Sequence, residues 1–463
     1  MRLAAATLDR AAPGAERFGY DRAAQAIGIV HIGIGAFHRA HQAWYTDRAM
    51  DAGDRDWAIA GVSLRSATVA GQLNPQDGLY TVAERSADTT RLRVVGAVRE
   101  VVVATPGDDR AAGLIVAPET RIVSFTITEK GYARRADGSL DGQAADAGGS
   151  VYPLLHAGLK RRRDAGLPGL TLLSCDNLAD NGRQLERLLL AYLDVHDAAL
   201  AGWVAGECAF PSTMVDRIVP ATTPADLDAV EQQLGLRDEG AVLTEPFSQW
   251  VIEDRFAGRR PRWDAVGAQL VTDVVPYETA KLRMLNGAHS ALAYLGLERG
   301  HTFVHEAIAD PALRALVEQL MRGEAATSFP PAPGQDLAAY AEALLARFAN
   351  PALQHRLAQI AMDGSQKIPN RWLPVLSYHR ERGTRCPAIL AALGAWVRHV
   401  RGDHGKVDDP QATALQAAWL GTDMTGATRS LFAPGGAMSG VWSPDGEDIA
   451  LMPGSPEKRP LSG

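Results

Sequence analysis

The segment PYETAKLRMLNGAH, residues 276–289, places a carboxyl, an amine, an amide and an imidazole among apolar residues. These groups belong to Glu278, Lys281, Asn286 and His289. In a single α-helix, which advances about 100° per residue, the four side chains fall within an arc of roughly 140° on one side. Burial of such a face lowers the pKa of a lysine toward neutrality, because desolvation disfavours the charged amine. Lys281 could then act as a general base for the proton of an alcohol.

The other three groups could complete a site for alcohol oxidation. Asn286 can donate an amide N–H to a developing alkoxide, and His289 can hydrogen-bond the same oxygen. Glu278, one turn before Lys281, could pass the proton on to water. The spacing is equally compatible with a surface helix whose polar stripe is solvated. The interpretation therefore depends on the other elements that would position a substrate.

Further polar residues follow predicted strands and helices. The strand LTLLSCDN ends at Asn177, which could supply a second amide donor or form an Asx turn. The strand TRIVSFTIT is followed by Glu129 and Lys130. DGSQK follows a helix and offers Lys367, either as a site residue or as a cation that caps that helix. Ligands bind beyond the C-terminal ends of strands in open α/β sheets, which makes the strand-end residues candidates for the site.

A glycine turn follows the first predicted strand of the chain. AIGIVHIGIGAF predicts a buried strand, a tight turn and then a helix. Such a turn lets the backbone approach a pyrophosphate, and the N–H groups that begin the helix can bind the anion. The predicted cofactor-binding residues are Gly33, Gly35, Ala36 and Phe37. His38 replaces the third glycine of the GxGxxG pattern. The prediction of a cofactor site therefore depends mainly on the position of the turn, after the first strand of a βαβ pattern.

The end of the second predicted strand bears on the choice of cofactor. Enzymes that bind NAD usually have an acid there, which hydrogen-bonds the ribose hydroxyls. In this chain DWAIAGVSL is followed by Arg65 and Ser66, and no acid occurs before Asp77. Arg65 could be a solvated strand-end residue, stack on adenine or meet a 2′-phosphate. NAD and NADP both remain open at this point.

Composition limits the classes of function. A chain of 463 residues is too long for one ordinary core, which predicts two or three domains. The net charge of −7 gives no reason to expect a nucleic acid or a membrane surface as partner. We find no apolar run long enough to span a membrane and no signal-peptide core, so a cytoplasmic location is the default expectation. Three distant cysteines and the pair His38 and His41, which lacks a third ligand, predict neither disulfides nor a metal site.

The order of predicted elements indicates two domains and a tail. Strands alternate with helical segments up to about residue 275, which predicts an α/β domain with a parallel, doubly wound sheet. Long helical segments follow without comparable strand runs. We expect a dinucleotide-binding domain at residues 1–275 and a mainly helical domain at 276–432. Residues 433–463, rich in Gly, Pro and Ser, are expected to be irregular or mobile.

Taken together, these segments resemble the polyol-specific long-chain dehydrogenase/reductase (mannitol dehydrogenase) family. The carrying segments are HIGIGAFHRAHQAWYTD, QDGLYTV, SCDNLADNG, FPSTMVDRIVP, EPFSQWVIEDRFAGRRPRWDAVGAQ, KLRMLNGAHSALAYLG and DGSQKIP. They occur in order from about residue 28 to 370. The resemblance implies a Rossmann-type N-terminal domain and a mainly α-helical C-terminal domain. It also implies metal-independent hydride transfer with a nicotinamide cofactor, NAD or NADP, in a monomer or weak oligomer.

The resemblance also implies a role for each candidate residue. Lys281 matches the catalytic base of the family, and Asn177 and Asn286 match its pair of alkoxide-stabilising amides. His289 matches a substrate-orienting histidine, and Glu278 matches a carboxylate in the proton channel. These roles agree with the chemistry expected from the residues themselves, and they argue against the solvated stripe.

Two further residues match the family pattern, and two features of the sequence depart from it. Lys367 matches a substrate-contacting lysine, and Asp216 matches a cofactor-side or interdomain position. The acid that selects NAD in some members is replaced by Ala67 and Thr68, which leaves NAD and NADP open. The chain after VDDP is rich in Pro and Gly where relatives usually continue helically, so the last helices are not predicted.

The expected substrate is a small sugar acid or polyol. TEKGY differs from the TEGGY of mannitol dehydrogenases, and Gln359 stands where they tend to have arginine. Both features resemble the fructuronate reductase branch. A cation such as Lys130, beside Glu129, could pair with the carboxylate of a sugar acid, although a solvated lysine explains the residue as well. We expect interconversion of D-mannonate and D-fructuronate, with D-mannitol and D-fructose as the alternative.

An inactive sensor that only binds the cofactor is a hypothesis of a different class. Such a protein has no need of a catalytic base. The presence of Lys281, Asn177, Asn286 and His289 therefore favours the enzyme.

Overall fold

The structure, a computed structural model, describes residues 1–105, 109–135, 137–403, 405–440 and 442–452. The contacts within the chain divide it into two compact units, Met1–Val274 and Val275–Gly463. The boundary expected from the sequence lies one residue later.

The strands of the first unit belong to three sheets. They are β1 (Glu16–Arg17), β2 (Ile27–Ile32), β3 (Ala58–Ser63), β4 (Tyr80–Arg85), β5 (Thr90–Val95), β6 (Val98–Val103), β7 (Ile122–Phe125), β8 (Thr171–Ser174), β9 (Thr213–Asp216), β10 (Val242–Thr244), β11 (Gln249–Glu253) and β12 (Gln269–Val271). The sheets have the strand orders β6-β3-β2-β7-β8, β1-β5-β4-β10 and β12-β11-β9.

The largest sheet is parallel throughout and positions the candidate site. The first of its strands along the chain, β2, lies at the centre between β3 and β7. The order is therefore third-second-first-fourth-fifth along the chain, which is the order of a Rossmann-type dinucleotide-binding unit. Because all strands run the same way, the loops that follow β2, β3, β7 and β8 lie along one edge. The predicted parallel, doubly wound sheet is confirmed.

The helices of the first unit cover both faces of this sheet. They are α1 (Ala36–Ala40), α2 (Gln42–Asp51), α3 (Thr68–Leu73), α4 (Arg110–Val116), α5 (Thr128–Gly131), α6 (Gly142–Asp146), α7 (Val151–Asp164), α8 (Asn181–His196), α9 (Ala198–Glu207) and α10 (Pro224–Leu234). Short 3-10 helices occupy Ala5–Arg10, Asn74–Gln76 and Trp263–Val266. Successive strand side chains point to opposite faces, so Ile29 packs in the core with α2 and α3, whereas Val30 and Ile32 pack in the core with α4, α7 and α8.

One apolar run contains two strands of different sheets. TRLRVVGAV covers β5 and the first residue of β6. β5 pairs antiparallel with β4, whereas β6 pairs parallel with β3. The apolar pattern of this run does not predict which strands β5 and β6 pair with.

The second unit is helical. Its α-helices are α11 (Val275–Ala280), α12 (Gly287–Glu298), α13 (Val304–Ala309), α14 (Pro311–Gln319), α15 (Leu337–Phe348), α16 (Leu357–Ile360), α17 (Gly364–Arg371), α18 (Leu373–Arg380), α19 (Pro387–His399), α20 (Ala412–Ala417), α21 (Met424–Phe432) and α22 (Gly446–Ala450). Lys281–Asn286 and Leu320–Ala325 are π-helical, and Ala326–Ser328 and Pro351–Leu353 are 3-10 helices. Among the described residues from 275 onward the structure assigns no strand. Within the described ranges, every helix is too short or too polar to span a bilayer.

The C-terminal segment requires a correction. Residues 433–463 were expected to be irregular or mobile, yet 442–452 include the helix α22. Met438, Trp442 and Met452 are buried in the core of the second unit. The apolar surface that they bury offsets the entropy of ordering a chain rich in Gly and Pro. Val441 and residues 453–463 lie outside the described residues.

Candidate active site

The glycine turn after β2 has the geometry that the sequence predicts. Gly33 has a φ of +96°, and a Cβ there would lie 2.1 Å from the carbonyl oxygen of Thr126, so only glycine fits. Gly35 is different, because a Cβ there would meet only the Gly33 oxygen, at 3.8 Å. The Gly35 carbonyl accepts a hydrogen bond from Nε of Arg39 at 3.3 Å. The turn is thus rigid, with open space next to Gly35, and Ala36 and Phe37 follow it in α1.

Buried imidazoles lie beneath this turn. The rings of His31 and His38 stack with centroids 3.3 Å apart, and both residues are fully buried. Ring nitrogens of His31 hydrogen-bond the hydroxyls of Ser124 and Thr126 at 2.8 and 2.9 Å. Burial lowers the pKa of His31 to about 3 and holds the pKa of His38 well below its usual range. These histidines are therefore neutral, polar supports of the turn.

Arg65 lies at the end of the second strand, as predicted. It is exposed, in the loop between β3 and α3. Its Cγ lies 3.3 Å from the position that a Cβ on Gly149 would take. The hydroxyl of Ser63 donates to the carbonyl of Ser66 at 2.6 Å, and the hydroxyls of Ser66 and Thr68 are 2.8 Å apart. The strand end thus offers a guanidinium and hydroxyl groups where NAD enzymes commonly offer a carboxylate.

Asp176 joins the ends of β7 and β8. Its carboxylate accepts hydrogen bonds from the backbone N–H groups of Ile127 and Thr128, at 3.0 and 2.8 Å. It also accepts one from the hydroxyl of Tyr132 at 2.8 Å. Burial raises the pKa of the Asp176 carboxyl, and these hydrogen bonds oppose the shift. The carboxylate therefore fixes the loop after β7 against the end of β8.

The structure brings Asn177, Glu129 and Lys130 to one edge of the parallel sheet. Asn177 directly follows Asp176, and Glu129 and Lys130 lie in α5, which follows β7. All three candidate residues are exposed. Asp216 lies elsewhere, because it ends β9 in the sheet that pairs β9 antiparallel with β11.

Asp216 is linked to the glycine turn through its neighbour. It is 5% exposed, and the next residue, Arg217, donates a hydrogen bond to the carbonyl of Ala40 at 2.5 Å. Ala40 is the last residue of α1, the helix that follows the glycine turn. The sequence alone does not reveal this arginine contact, because the residues are far apart in the chain.

In the second unit, Lys281–Asn286 form a π-helical segment between α11 and α12. The expectation of one uninterrupted α-helix is therefore wrong. Gly287 N–H donates to the carbonyl of Leu282, five residues earlier. A π turn closes on the fifth residue, so residues five apart take the place of residues four apart as neighbours on one face. Lys281 and Asn286 are five apart, so the π turn makes them neighbours on one face, as residues four apart are on an α-helix.

The π turn makes one continuous stripe of the four candidate residues. Glu278 stands three residues before Lys281, and His289 stands three residues after Asn286. Residues three apart are neighbours on an α-helix. Glu278, Lys281 and Asn286 are partly exposed, and His289 is 8% exposed.

His289 is held neutral by its surroundings. Its ring packs against Phe348 and His355, with centroids 4.8 and 5.3 Å away. Burial, followed by electrostatic interactions with His355, Arg347 and Arg371, keeps the pKa of His289 well below its usual range. A neutral imidazole can donate from one nitrogen and accept at the other, as a residue that orients a hydroxyl requires.

Lys367 caps a helix end, which is the alternative that the sequence left open. Its Nζ donates to the carbonyls of Met362 and Ile360, at 2.6 and 3.2 Å, just beyond and at the end of α16. An ammonium group has three donors, so one remains after these two bonds. Burial lowers the pKa of Lys367, and the charge of Arg371 lowers it further. Gln359 lies on α16 itself and is exposed.

Arg371 is a residue of this region that the sequence did not single out. One guanidinium nitrogen donates to the carbonyl of Asn286 at 3.2 Å and to the hydroxyl of Ser290 at 2.7 Å. The indole nitrogen of the next residue, Trp372, donates to the carbonyl of Gly287 at 3.2 Å. Burial lowers the pKa of Arg371 to about 10. In the sequence, Arg371 stands one helical turn after Lys367, which is the signal that could have pointed to it. That spacing does not reveal which face of α17 is buried.

The described residues contain no cluster of three or more His, Cys, Asp or Glu side chains that could hold a metal ion. The candidate groups are thus a rigid glycine turn, a sheet edge with an amide, and a helix that bears an amine, an amide and a neutral imidazole. The strand order of the parallel sheet and the glycine-only turn after β2 are those of a dinucleotide-binding unit.

The comparison with protein families names the class. The model of the mannitol dehydrogenase Rossmann domain matches residues 27–265, and that of the mannitol dehydrogenase C-terminal domain matches residues 273–428. The chain belongs to the mannitol dehydrogenase family of oxidoreductases. The family resemblance stated from the sequence is confirmed.

Several relatives are similar over most of their length. The chain is 41% identical over 441 residues to D-mannonate oxidoreductase of Escherichia coli K12, covering 90% of this chain and 89% of the relative. It is 38% identical over 422 residues to mannitol 2-dehydrogenase of Phaeosphaeria nodorum, covering 87% and 74%. The structure of Pseudomonas fluorescens mannitol 2-dehydrogenase, a ternary complex with NAD and D-mannitol, superposes with a TM-score of 0.82 at 35% identity, covering 98% and 95%.

Proposed function

We propose that this protein is a nicotinamide-dependent dehydrogenase that interconverts D-mannonate and D-fructuronate, with Lys281 as the general base. The observation that carries the proposal is the stripe of Glu278, Lys281, Asn286 and His289, aligned through the π turn in a member of the mannitol dehydrogenase family. D-Mannonate oxidoreductase of Escherichia coli, a relative at 41% identity, points to this substrate pair.

The chemistry of each residue follows from its type. Lys281, as a neutral amine, would accept the proton of the substrate hydroxyl, and Glu278 would pass it on to water. The amides of Asn177 and Asn286 would donate to the oxygen as its charge develops, and the neutral imidazole of His289 would orient it. The carbon loses a hydride and the oxygen a proton, so a carbonyl group forms.

The first unit fits a nicotinamide cofactor. The open space next to Gly35 and the glycine-only turn at Gly33 form a backbone cradle of the kind that holds a pyrophosphate. Gly33, Gly35, Ala36 and Phe37 would hold the pyrophosphate, and Arg65 would contact the adenosine end. The bound cofactor supplies the hydride acceptor. NAD is the expected cofactor, and the strand end with Arg65 also suits NADP.

Positive charge supports an acidic substrate over a neutral polyol. Lys130 is exposed at the edge of the parallel sheet, and among the described residues it forms no ion pair. In the second unit, Lys367 and Arg371 lie one turn apart on α17. A carboxylate pairs favourably with such cations, whereas a polyol has no charge to offer.

Mannitol 2-dehydrogenase is the second candidate. The structure of Pseudomonas fluorescens mannitol 2-dehydrogenase with NAD and D-mannitol, 35% identical, favours it. Gln359 and Lys130 stand against it, because mannitol dehydrogenases tend to have arginine and glycine at these positions.

A substrate panel tests the proposal. Purified protein is mixed with NAD⁺ or NADP⁺ and with D-mannonate, D-altronate, D-mannitol, D-arabinitol or D-sorbitol, and reduced nicotinamide is followed by its near-ultraviolet absorbance. We expect turnover with D-mannonate. Turnover of D-mannitol without D-mannonate would replace the substrate assignment. Cofactor binding without turnover of any compound would favour the inactive sensor.

A further inference from the structure

Arg371 is a half-buried cation without a counter-charge. Among the described residues, no carboxylate lies within ion-pair distance of its guanidinium, and its hydrogen bonds go to the carbonyl of Asn286 and the hydroxyl of Ser290. Transfer of a charge from water into a protein is costly unless a partner compensates it. A neutral donor could hold the same two oxygens at a lower cost. The positive charge itself therefore calls for an explanation.

We propose that Arg371 is a positioning residue for the oxygen-binding side chains: it holds the exit of the π turn and places a positive charge behind Asn286 and His289. The inference deepens the proposed function and rests on it, since it assigns Asn286 and His289 to the substrate oxygen. It adds a residue outside the stripe that fixes the geometry and the charge of that stripe.

Arg371 and Trp372 contact the backbone where the π turn ends. The π turn ends at Asn286, where the helix returns to α geometry. Arg371 binds the Asn286 carbonyl at 3.2 Å and the Ser290 hydroxyl, one turn later, at 2.7 Å. Trp372 binds the Gly287 carbonyl between them. These side-chain donors all come from the junction of α17 and α18, so that junction fixes where the π turn ends and where the Asn286 amide points.

The charge of Arg371 also acts on the ionisable groups around it. Arg371 is one of the charges that keep the pKa of His289 low, after burial and together with His355 and Arg347. It also lowers the pKa of Lys367, which lies one turn away on α17. Like charges four residues apart on a helix repel, so this arrangement destabilises the free protein. Negative charge that develops on a nearby substrate oxygen would relieve that repulsion, and it would be stabilised by a fixed charge in a half-buried setting.

Variants that separate charge from hydrogen bonding test the inference. Arg371→Lys keeps the charge, and Arg371→Gln keeps a donor but loses the charge. We expect Arg371→Gln to lower kcat on the order of 10- to 100-fold, since small displacements and lost charge stabilisation both act on the chemical step. The isotope effect with C-deuterated substrate should increase, while the NADH dissociation constant stays unchanged. Arg371→Lys should recover most of kcat.

Chemical rescue adds a readout that a purely structural role would not produce. In Arg371→Ala, guanidinium ion at low, non-denaturing concentration should restore part of kcat, and urea at the same concentration should not. Rescue by neither compound, with equal loss in the Lys and Gln variants, would overturn the role of the charge.

Arg283→Gln is the matched control. Its guanidinium also belongs to the π-helical segment, and it donates to the carbonyl and hydroxyl of Ser328 at 2.8 and 2.9 Å. Burial lowers the pKa of Arg283 as well. We expect a wild-type kcat, because this guanidinium anchors to Ser328 and not to Asn286. An equal loss of kcat in Arg371→Gln and Arg283→Gln would mean that Arg371 only anchors the segment, as Arg283 does. That result would overturn the inference.

Hydrogen exchange separates this inference from the proposed function. By mass spectrometry of the full chain without substrate, Arg371→Ala, which removes both hydrogen bonds, should speed amide exchange in peptides covering residues 281–291, but not in peptides from α19. If wild-type protein turns over no substrate, the proposed function fails while this exchange pattern can still appear. Unchanged exchange at 281–291 would overturn the positioning role whatever the substrate is.

Discussion

Lys281 and Asn286 are the first and last residues of one π-helical turn. In an α-helix a separation of five residues would place their side chains roughly 140° apart, on different parts of the surface. The π turn closes on the fifth residue and aligns them. The amine that would take a proton and the amide that would hold the oxygen are thereby placed one above the other. The backbone irregularity therefore brings these two side chains to one face of the helix.

Replacement of Lys281 by methionine tests its role as the base. Methionine keeps the length of the side chain without the amine. Turnover should fall on the order of 10²- to 10⁴-fold, the usual contribution of a general base. NADH affinity, measured by fluorescence titration, should stay close to that of the wild type. Lys160→Met, at an exposed lysine near Asp197, is the control and should retain full activity. Loss of NADH binding in Lys281→Met would instead assign Lys281 a structural role.

The parallel sheet was predictable because its signals are local. β2 is a mostly apolar run that is followed by glycines, and the strands and helices alternate up to residue 275. The π turn was not predictable, since the residues Lys281–Asn286 have nothing in their sequence that excludes an α-helix. Its register depends on side chains such as Arg371 and Trp372, which contact it from far along the chain.

The two glycines of the turn should respond differently to alanine. Gly33→Ala places a Cβ 2.1 Å from the Thr126 oxygen at a φ of +96°, so it should destabilise the fold by about 1–3 kcal/mol. Gly35→Ala meets only the Gly33 oxygen at 3.8 Å and has a φ of −92°, so the fold should be unaffected. Its NADH affinity should nevertheless fall, because the Cβ occupies space that a pyrophosphate needs.

Urea unfolding and NADH titration of the two glycine variants distinguish these effects. A Gly35→Ala protein that binds NADH as tightly as the wild type would remove Gly35 from the cofactor site. A loss of stability in Gly35→Ala would show that the space next to it is structural.

Arg65 should determine the affinity for a 2′-phosphate. A charge-assisted hydrogen bond contributes roughly 1.5–3 kcal/mol, so Arg65→Ala should weaken NADPH binding by about tenfold or more. NADH binding should change little. Arg91→Ala, an exposed arginine on β5, is the control. The measurement is the dissociation constant of each reduced cofactor by fluorescence. An equal loss for NADH and NADPH would instead indicate that Arg65 stacks on adenine.

The candidate site was predictable in chemistry but not in its supports. Asn177 and Lys130 follow strands, so their place at the sheet edge could be inferred from the pattern. Asp176, which ties those two strand ends together, looks in the sequence like any polar residue after a strand. For Lys367 the sequence allowed two interpretations, a site residue and a helix cap, and it could not decide between them. In the structure the amine of Lys367 donates hydrogen bonds to the carbonyls of Met362 and Ile360.

The buried histidines beneath the glycine turn should make the fold sensitive to acid. His31 and His38 have pKa values below the ordinary value of about 6.5, with that of His31 at about 3. The unfolded chain therefore binds protons that the folded chain does not. Stability is complete above about pH 6.5 and falls as pH drops below it, by up to roughly 1.4 kcal/mol per pH unit for each histidine.

His38→Met should lower that acid slope by the contribution of one proton. The free energy of urea unfolding is measured between about pH 5 and pH 8, a range that brackets the ordinary histidine pKa. His196→Gln is the control, because His196 is exposed beside Asp146. An unchanged slope in His38→Met would mean that His38 binds its proton in the folded protein as well.

Lys130 should discriminate acidic from neutral substrates. It is exposed in α5, next to Glu129, at the edge of the parallel sheet. If it pairs with the substrate carboxylate, Lys130→Gln should lower kcat/KM for D-mannonate by about tenfold, the equivalent of one charge-assisted hydrogen bond. Any turnover of D-mannitol should be unaffected. The difference should shrink as salt is added, because an exposed pair is screened. Arg135→Gln, an exposed cation nearby that pairs with Asp141, should change neither substrate. Equal losses of kcat/KM for D-mannonate and D-mannitol would show that Lys130 does not bind the carboxylate. The preference for an acid would then have to come from the second unit, where Lys367 and Arg371 lie.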